Sequence, residues 1–310
     1  MDNTNQTRIF LCGDIVTARG IDQVLPHPGE PTLHESYMKD ARGYAKIAEE
    51  RNGPIPASVE FDYIWGDALD EMRRPDVYVR IINLETSVTT SDDWWREKGI
   101  HYRMHPRNVP CLTAADVDCC VLANNHVLDW GRAGLQETLD TLEEAGLATC
   151  GAGRNAVKAA APAVIDLPRG GRLLVFGLGS ITSGIPYDWA ATTDQPGVNV
   201  LTSLSADAAR SAAGHMMAHA EPGDLVVASV HWGGNWGYRI PDRQVEFARA
   251  LVEEGVDVVH GHSSHHVKGL EVYRGRPIFY GCGDFITDYE GIRGYEQFRG
   301  QFTLAYFPVL

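Results

Sequence analysis

Val256-Asp257-Val258-Val259-His260-Gly261-His262-Ser263-Ser264-His265-His266 is a β-branched run that passes straight into four histidines within seven residues. Valines at that density predict a buried strand, ending at Val259. Neutral imidazole is the commonest protein ligand for a transition metal. A strand that stops in a glycine and then presents histidines aims rigid nitrogens at one point. Histidines clustered at a loop also fit polar surface, so the other strands must decide between the two.

Similar apolar runs recur along the chain: Ile9–Cys12, Tyr78–Ile82, Cys119–Leu122, Leu173–Phe176 and Leu225–Val230. Each ends in polar residues or glycine, which predicts buried strands. Helical patterns lie between several of them, over Ala133–Ala145, Ala206–Ala220 and Pro241–Glu254, the last with proline at a helix start. Alternating strands and helices predict α/β architecture. Leu270–Tyr273 and Ile278–Gly281 flank Arg274-Gly275-Arg276-Pro277 as a hairpin, and Phe302–Phe307 reads as a further strand, so a mixed sheet is expected. Residues 26–56 break the alternation with prolines and glycines around a helix-like middle, Tyr37–Glu50. They read as an insertion, either a flap facing the substrate or a surface excursion, within a single domain spanning 1–310.

Bulk composition removes several classes. The chain has 310 residues, 44% hydrophobic and 22% charged, with 27 basic against 41 acidic residues and a net charge of −14. That balance argues against nucleic acid as a partner. Met1–Thr7 is polar and lacks the basic and apolar regions of a secretory signal. No apolar run reaches the roughly 20 residues needed to span a bilayer, so no membrane anchor is expected. Six cysteines (Cys12, Cys111, Cys119, Cys120, Cys150, Cys282) form no CxxC pair and several sit inside strand-like runs. This fits a reduced, cytoplasmic setting and excludes a zinc ribbon.

The residues after each strand carry the chemistry. Gly13-Asp14 follows the first, Asn83-Leu84-Glu85 the second, and Asn124-Asn125-His126 with Asp129 the third. His231-Trp232-Gly233 follows Leu225–Val230, and the histidine cluster follows Val259. Ligands of open α/β sheets bind outside the carboxyl ends of the strands. Carboxylates, an amide oxygen and imidazoles suit Mn, Fe or Zn, and two such ions about 3.5–4 Å apart can activate water and clamp an oxyanion. Each piece alone has a plain structural use: Gly-Asp caps helices and Asn-Asn makes turns.

Taken in order, these motifs, with Leu122-Ala123-Asn124-Asn125-His126-x-x-Asp129-x-Gly131, Gly261-His262-x-x-His265 and Glu271-Val272-Tyr273-x-Gly275-x-Pro277-Ile278-x-Tyr280, resemble the CapA (poly-γ-glutamate capsule biosynthesis) family. That family is grouped with the calcineurin-like metallo-dependent phosphatases. The resemblance runs from Ile9 to about Phe307. It implies a four-layer αββα sandwich with mixed sheets around two divalent metal ions (Mn, Fe, Zn, Mg or Ca). By the same resemblance Asp14 binds one metal and Glu85 bridges, while Asn125 and His231 bind the other. His262 and His265 divide between the two. His126 is the acid/base histidine and Asp129 holds its tautomer. Asn124, Trp232, His266 and Asp284 are candidate substrate contacts, and Trp236 is a possible stacking platform. Two departures bear on metal occupancy. The phosphatase Asp-x-His is Asp14-Ile15-Val16 here, and Gly-His-x-His is stretched by one residue. Gly151-Ala152-Gly153-Arg154-Asn155 reads as a tight strand-to-helix connection with Arg154 a candidate anion contact.

The leading expectation is metal-dependent hydrolysis of a phosphoester or amide, on a small-molecule, peptide or anionic polymer substrate. Two alternatives use the same chain. Metal-assisted epimerisation at a peptide Cα would draw acid/base groups from His126, His266 and Asp284. A non-catalytic part in capsule polymer export is the other, disfavoured because a net −14 repels polyglutamate. Oligomeric state is left open by the sequence.

Overall fold

The computed structural model describes residues 6–56, 58–168 and 170–310. Met1–Asn5, most of the stretch examined for a signal, lie outside the described residues. The strands are β1 (Arg8–Ile15), β2 (Val77–Leu84), β3 (Cys119–Val121), β4 (Ala148–Cys150), β5 (Ala163–Asp166) and β6 (Arg172–Ser180). They continue with β7 (Val200–Leu201), β8 (Leu225–His231), β9 (Val258–His262), β10 (Leu270–Tyr273), β11 (Arg276–Phe279) and β12 (Asp284–Ile286). One sheet has the order β12-β1-β2-β3-β4 and is parallel throughout. The other runs β7-β6-β8-β9-β11-β10, with β5 also on β6, and is mixed because β10 and β5 pair antiparallel to their neighbours.

The sheets pack face to face. Ile9, Leu11, Ile81 and Val121 of the first share one core with Leu173, Val175, Val227 and Val258 of the second. The four longer helices are α1 (Arg42–Asn52), α2 (Gly131–Glu144), α3 (Ala206–Met217) and α4 (Asp242–Glu253). Helix α2 packs Leu135, Leu139 and Leu142 into that core beside β4. On the far side α3 and α4 cover Leu174, Phe176, Val226 and Val230. The α/β sandwich implied by the motifs is what forms.

Helix α4 shows why. Gln244, Phe247, Ala248, Ala250, Leu251 and Val252 are its buried positions, and all but Ala250 fall 3, 1, 3 and 1 apart, one face of a 3.6-residue period. Pro241 at the N-cap is extended (φ −60°, ψ 140°), and Gly255 just past the end takes φ +109°, a conformation glycine adopts without penalty. Burying Phe247 contributes about 1.5–3 kcal/mol.

Three expectations need correction. The strand read as ending at Val259 continues to His262, because Ser229 pairs with His260 and His231 with His262 across β8 and β9. Two of the four histidines are therefore ladder residues and not loop residues. Residues 302–307 make one isolated bridge, Leu11 to Tyr306, antiparallel to β1. Arg154 ion-pairs with Asp140 and Glu143 on the surface, which leaves it no anion role.

Candidate metal centre

The carboxyl ends of β1, β2 and β3 in one sheet face those of β8 and β9 in the other, and every strand-end motif lands there. Gly13 permits the closest approach: a Cβ at that position would sit 1.7 Å from the carbonyl oxygen of Gly283. Asp14 is wholly buried. Its Oδ1 accepts from Asn83 Nδ2 at 2.7 Å and its Oδ2 from the Ser263 N–H at 3.1 Å. Ser263 sits at φ +97°, a strained conformation for a residue with a side chain, and this turns its N–H toward Asp14. Burial, and then the charge of Asp284, raise Asp14 to about 7, against the pull of Asn83, His265 and Ser263.

Proton accounting at the histidines is informative. His260 Nε2 lies 2.7 Å from the Cys12 carbonyl oxygen, so it carries the proton and Nδ1 is bare. Ser229 Oγ lies 3.0 Å from that Nδ1 and 3.0 Å from His262 Nε2. Its single proton goes to His260, so it accepts from His262 Nε2–H, and His262 Nδ1 is bare as well. With the Asn125 amide turned so that Oδ1 meets the ring, His231 Nε2 donates to it at 2.8 Å, and His231 Nδ1 is then bare. The two bare nitrogens face each other at 2.7 Å. Lone pairs that close repel unless a cation lies between them. A proton is disfavoured there, since burial, reinforced by neighbouring histidines, pushes both imidazoles well below their ordinary pKa. Asp14 Oδ1 is 3.7 Å from His262 Nδ1, and ligand atoms of Asp14, His231 and His262 all lie within 4.8 Å of one another. Such a group of donors is of the kind that can hold a metal ion.

Glu85 adds a second sign of a cation. Its Oε1 is 3.7 Å from His231 Nε2 and 3.9 Å from His126 Nε2, while its buried Oε2 has no hydrogen-bond partner. Burial, then Asp14 and Asp284, raise this carboxyl well above its usual range. An isolated buried carboxylate is expensive unless a positive charge meets it.

His126 stands beside this set. Its Nδ1 donates to Asp129 Oδ2 at 2.6 Å, and its ring stacks on Tyr102 with centroids 3.8 Å apart. Asp129 also accepts from the Tyr102 N–H at 2.7 Å. Nε2 is thereby left bare toward Glu85. Burial lowers His126 to about 4, Asp129 opposing and Lys98 assisting. Lys98 was not singled out by sequence: its ammonium contacts Asp129 and the Asn125 carbonyl and lies 3.3 Å from His126 Nδ1. It sits in the charged stretch after Trp94-Trp95, where nothing distinguishes it from solvated neighbours.

His265 is placed differently from His262. Its Nδ1 meets Asp284 at 3.0–3.1 Å and its Nε2 meets Asn235 Nδ2 at 2.8 Å. Burial lowers it, but Asp284 outweighs this and the imidazole ends above its usual pKa. Asp284 is thus the partner of His265. Three candidate substrate contacts are engaged within the protein. Trp232 is buried in the outer core, donating to the Tyr280 carbonyl at 3.0 Å. Asn124 is fully buried, its amide braced by Asn83 and the Leu84 carbonyl. His266 accepts from the Gly237 N–H at 3.0 Å and stacks on Phe298, pinning a loop.

A cleft of about 610 Å³ opens over the centre, lined by Glu85, Lys98, Asn125, His126 and His265. The 26–56 stretch supplies Tyr37, Met38, Tyr44 and Ile47 to its wall. Buried Arg19 ties that wall down: it pairs with Glu35 at 3.1 Å and with Asp288, and its guanidinium lies 3.9 Å over the Tyr44 ring.

The family model for bacterial capsule synthesis protein PGA_cap matches residues 8–289. A probable polyglutamine synthesis accessory protein of Mycobacterium tuberculosis is 44% identical over 308 residues, covering 99% of this chain and 81% of that protein. The capsule biosynthesis protein CapA of Bacillus anthracis is 31% identical over 197 residues, covering 62% of this chain and 45% of its own length. The PGA biosynthesis protein CapA of Bacillus subtilis is 28% identical over 212 residues, with 66% and 52% covered.

Proposed function

Because the chain belongs to the bacterial capsule synthesis protein family, we propose that it is a metal-dependent hydrolase acting on an acidic, amide-linked polymer of the polyglutamate kind. The observation that carries the reading is the facing pair of bare nitrogens on His231 and His262, next to Asp14 and the unpartnered oxygen of Glu85. Asp14, His231 and His262 would hold the metal, with Glu85 and Asn125 flanking it on the Nε2 side of His231. A divalent ion there supplies Lewis acidity and a polarised water.

The chain's own groups supply the rest. His126, fixed by Asp129 and Tyr102, presents a bare Nε2 to the cleft, takes a proton from the attacking water and hands it to the departing amine. Water adds across the amide, giving a carboxylate on one fragment and an amine on the other. His126 and Lys98 keep Asp129 ionised.

A second reading has one observation in its favour. Two histidine–aspartate pairs, His126–Asp129 and His265–Asp284, line one cleft, an arrangement suited to removing and returning a proton at a peptide Cα. Since His266 pins a loop, His265 takes the place once assigned to it. Deuterium entering uncleaved substrate from heavy water distinguishes this from hydrolysis.

The deciding experiment is metal analysis of the purified protein, then turnover of γ-glutamyl oligomers and a general phosphoester with added manganese. His126→Ala should keep its metal and lose activity, while Asp14→Ala should lose both. Full activity in metal-stripped Asp14→Ala protein would overturn the proposal, as would a protein that binds no ion and is unchanged by chelation.

A further inference from the structure

The cleft over the candidate centre has a neighbour that the proposed chemistry does not use. A second cavity of about 680 Å³ is lined by Arg51, Trp236, Asp284 and Tyr295 among others. His265, Tyr289, Ile292 and Arg293 line both spaces. The segment 289–293 thus stands as a strap between two cavities that meet at His265. One cavity of this size is enough for a small ligand. Two of them joined at a histidine of the reacting site fit a substrate that extends to both sides of the reacting bond.

The lining gives that substrate a chemistry. Among the described residues, Arg51 and Arg293 make no ion pair and feel Glu290 and Glu296 only at longer range, whereas Arg19 in the first cleft is fully paired. Trp236 and Tyr295 lie stacked, centroids 4.2 Å apart and planes within 9°, a flat apolar surface on which amide planes can rest. Asp284 is engaged by His265, and Glu296 accepts from the Gly294 N–H. Glu290 is the one acid of this wall with a buried unpartnered oxygen, and burial raises its pKa. Guanidiniums for carboxylates and an aromatic shelf for amides are what an acidic peptide-like chain needs.

We propose that the second cavity is a subsite for the continuation of an acidic, amide-linked chain, so that the centre acts on bonds inside the polymer as well as at its end. The proposal rests on the hydrolase reading above. It commits the strap at 289–293 to lying across the bound chain.

Binding of γ-glutamyl oligomers, from dimer to dodecamer, tests it in a metal-loaded His126→Ala background where turnover is blocked. Titration calorimetry and Trp236 fluorescence give the affinities. Arg51→Glu and Tyr295→Ala change exposed side chains of the second cavity alone. Affinity should rise with length, and each variant should lose about tenfold for the dodecamer, the scale of one charge-assisted contact, with the dimer unchanged. Limited digestion by the wild-type protein should release internal fragments. Equal losses for short and long oligomers, length-independent affinity, or a ladder shortened one residue at a time would each overturn the subsite and leave the hydrolase reading standing. If no oligomer of any length binds while a phosphoester is still cleaved, both the subsite and the acidic-polymer substrate are overturned and the metal hydrolase is not.

Discussion

Replacing Ser229 by alanine tests the proton accounting at its hinge. The Ser229 hydroxyl is held 3.0 Å from both His260 and His262 in a wholly buried position. Without it, His262 Nε2–H has no acceptor and His260 Nδ1 no donor. Each unsatisfied buried group costs about 1–3 kcal/mol, so chemical denaturation should show a loss on that scale in the metal-free protein. The larger signature is in metal affinity. His262 then has no reason to keep its proton on Nε2, and the lone pair aimed at His231 is no longer enforced. Loss of an outer partner of a ligating histidine weakens metal binding by about 10–100-fold. Competition against a chelating dye, with the fold checked by circular dichroism, measures it. An unchanged metal affinity in a folded Ser229→Ala protein would refute the reasoning, because the relay from Cys12 through His260 and Ser229 would then not set the His262 tautomer.

Other outcomes follow from the same geometry. Burial and Asp284 lift Asp14 to about 7, while the unfolded chain releases that proton near pH 4. The folded, metal-free state therefore holds an extra proton between those values, and Asp14's contribution to stability, full below about pH 4, is lost as pH rises through 7. Asp14→Asn should flatten that decline, and metal loading near pH 6 should release a proton, seen as a binding heat that varies with buffer ionisation; a buffer-independent heat counts against it. His126→Ala should lower kcat by about 10²–10⁴-fold with metal content unchanged; loss of the metal as well would make it a ligand instead. Arg19→Ala strands Glu35 and Asp288, both buried, and should cost about 3–5 kcal/mol by urea denaturation; a cost below 1 kcal/mol would deny it the tie between the cleft walls. Trp232→Phe removes one hydrogen bond in the outer core and should cost about 1 kcal/mol with KM unchanged, whereas a raised KM would return it to the site.

The strand-end residues were legible because an apolar run that stops abruptly at Asp14, Glu85, Asn125 or His231 marks both the strand and its outward end. Ser229 was passed over as strand filler, yet it carried a readable signal. Ser229 and His231, like His260 and His262, are two residues apart and so face the same side of adjacent strands. His265 and His266 could not be told apart, since only the fold shows that one meets Asp284 and the other Gly237. Lys98 and Arg19 were illegible for another reason. Their partners lie 31 and 269 positions away, and no local pattern encodes such pairings.

The pairing of β1 with β12 has a consequence for how the molecule is made. Asp14 stands in register with Asp284, so the first strand to leave the ribosome gains its neighbour only after some 270 further residues have been synthesised. Its other neighbour, β2, is made far sooner, but contacts of such long sequence separation as β1 with β12 form slowly. Until they form, Asp14 has no Ser263 to orient it and no His262 beside it. A nascent or nicked chain missing its last third thus carries half a centre, and capture of a metal ion would report that both ends of the polypeptide have met.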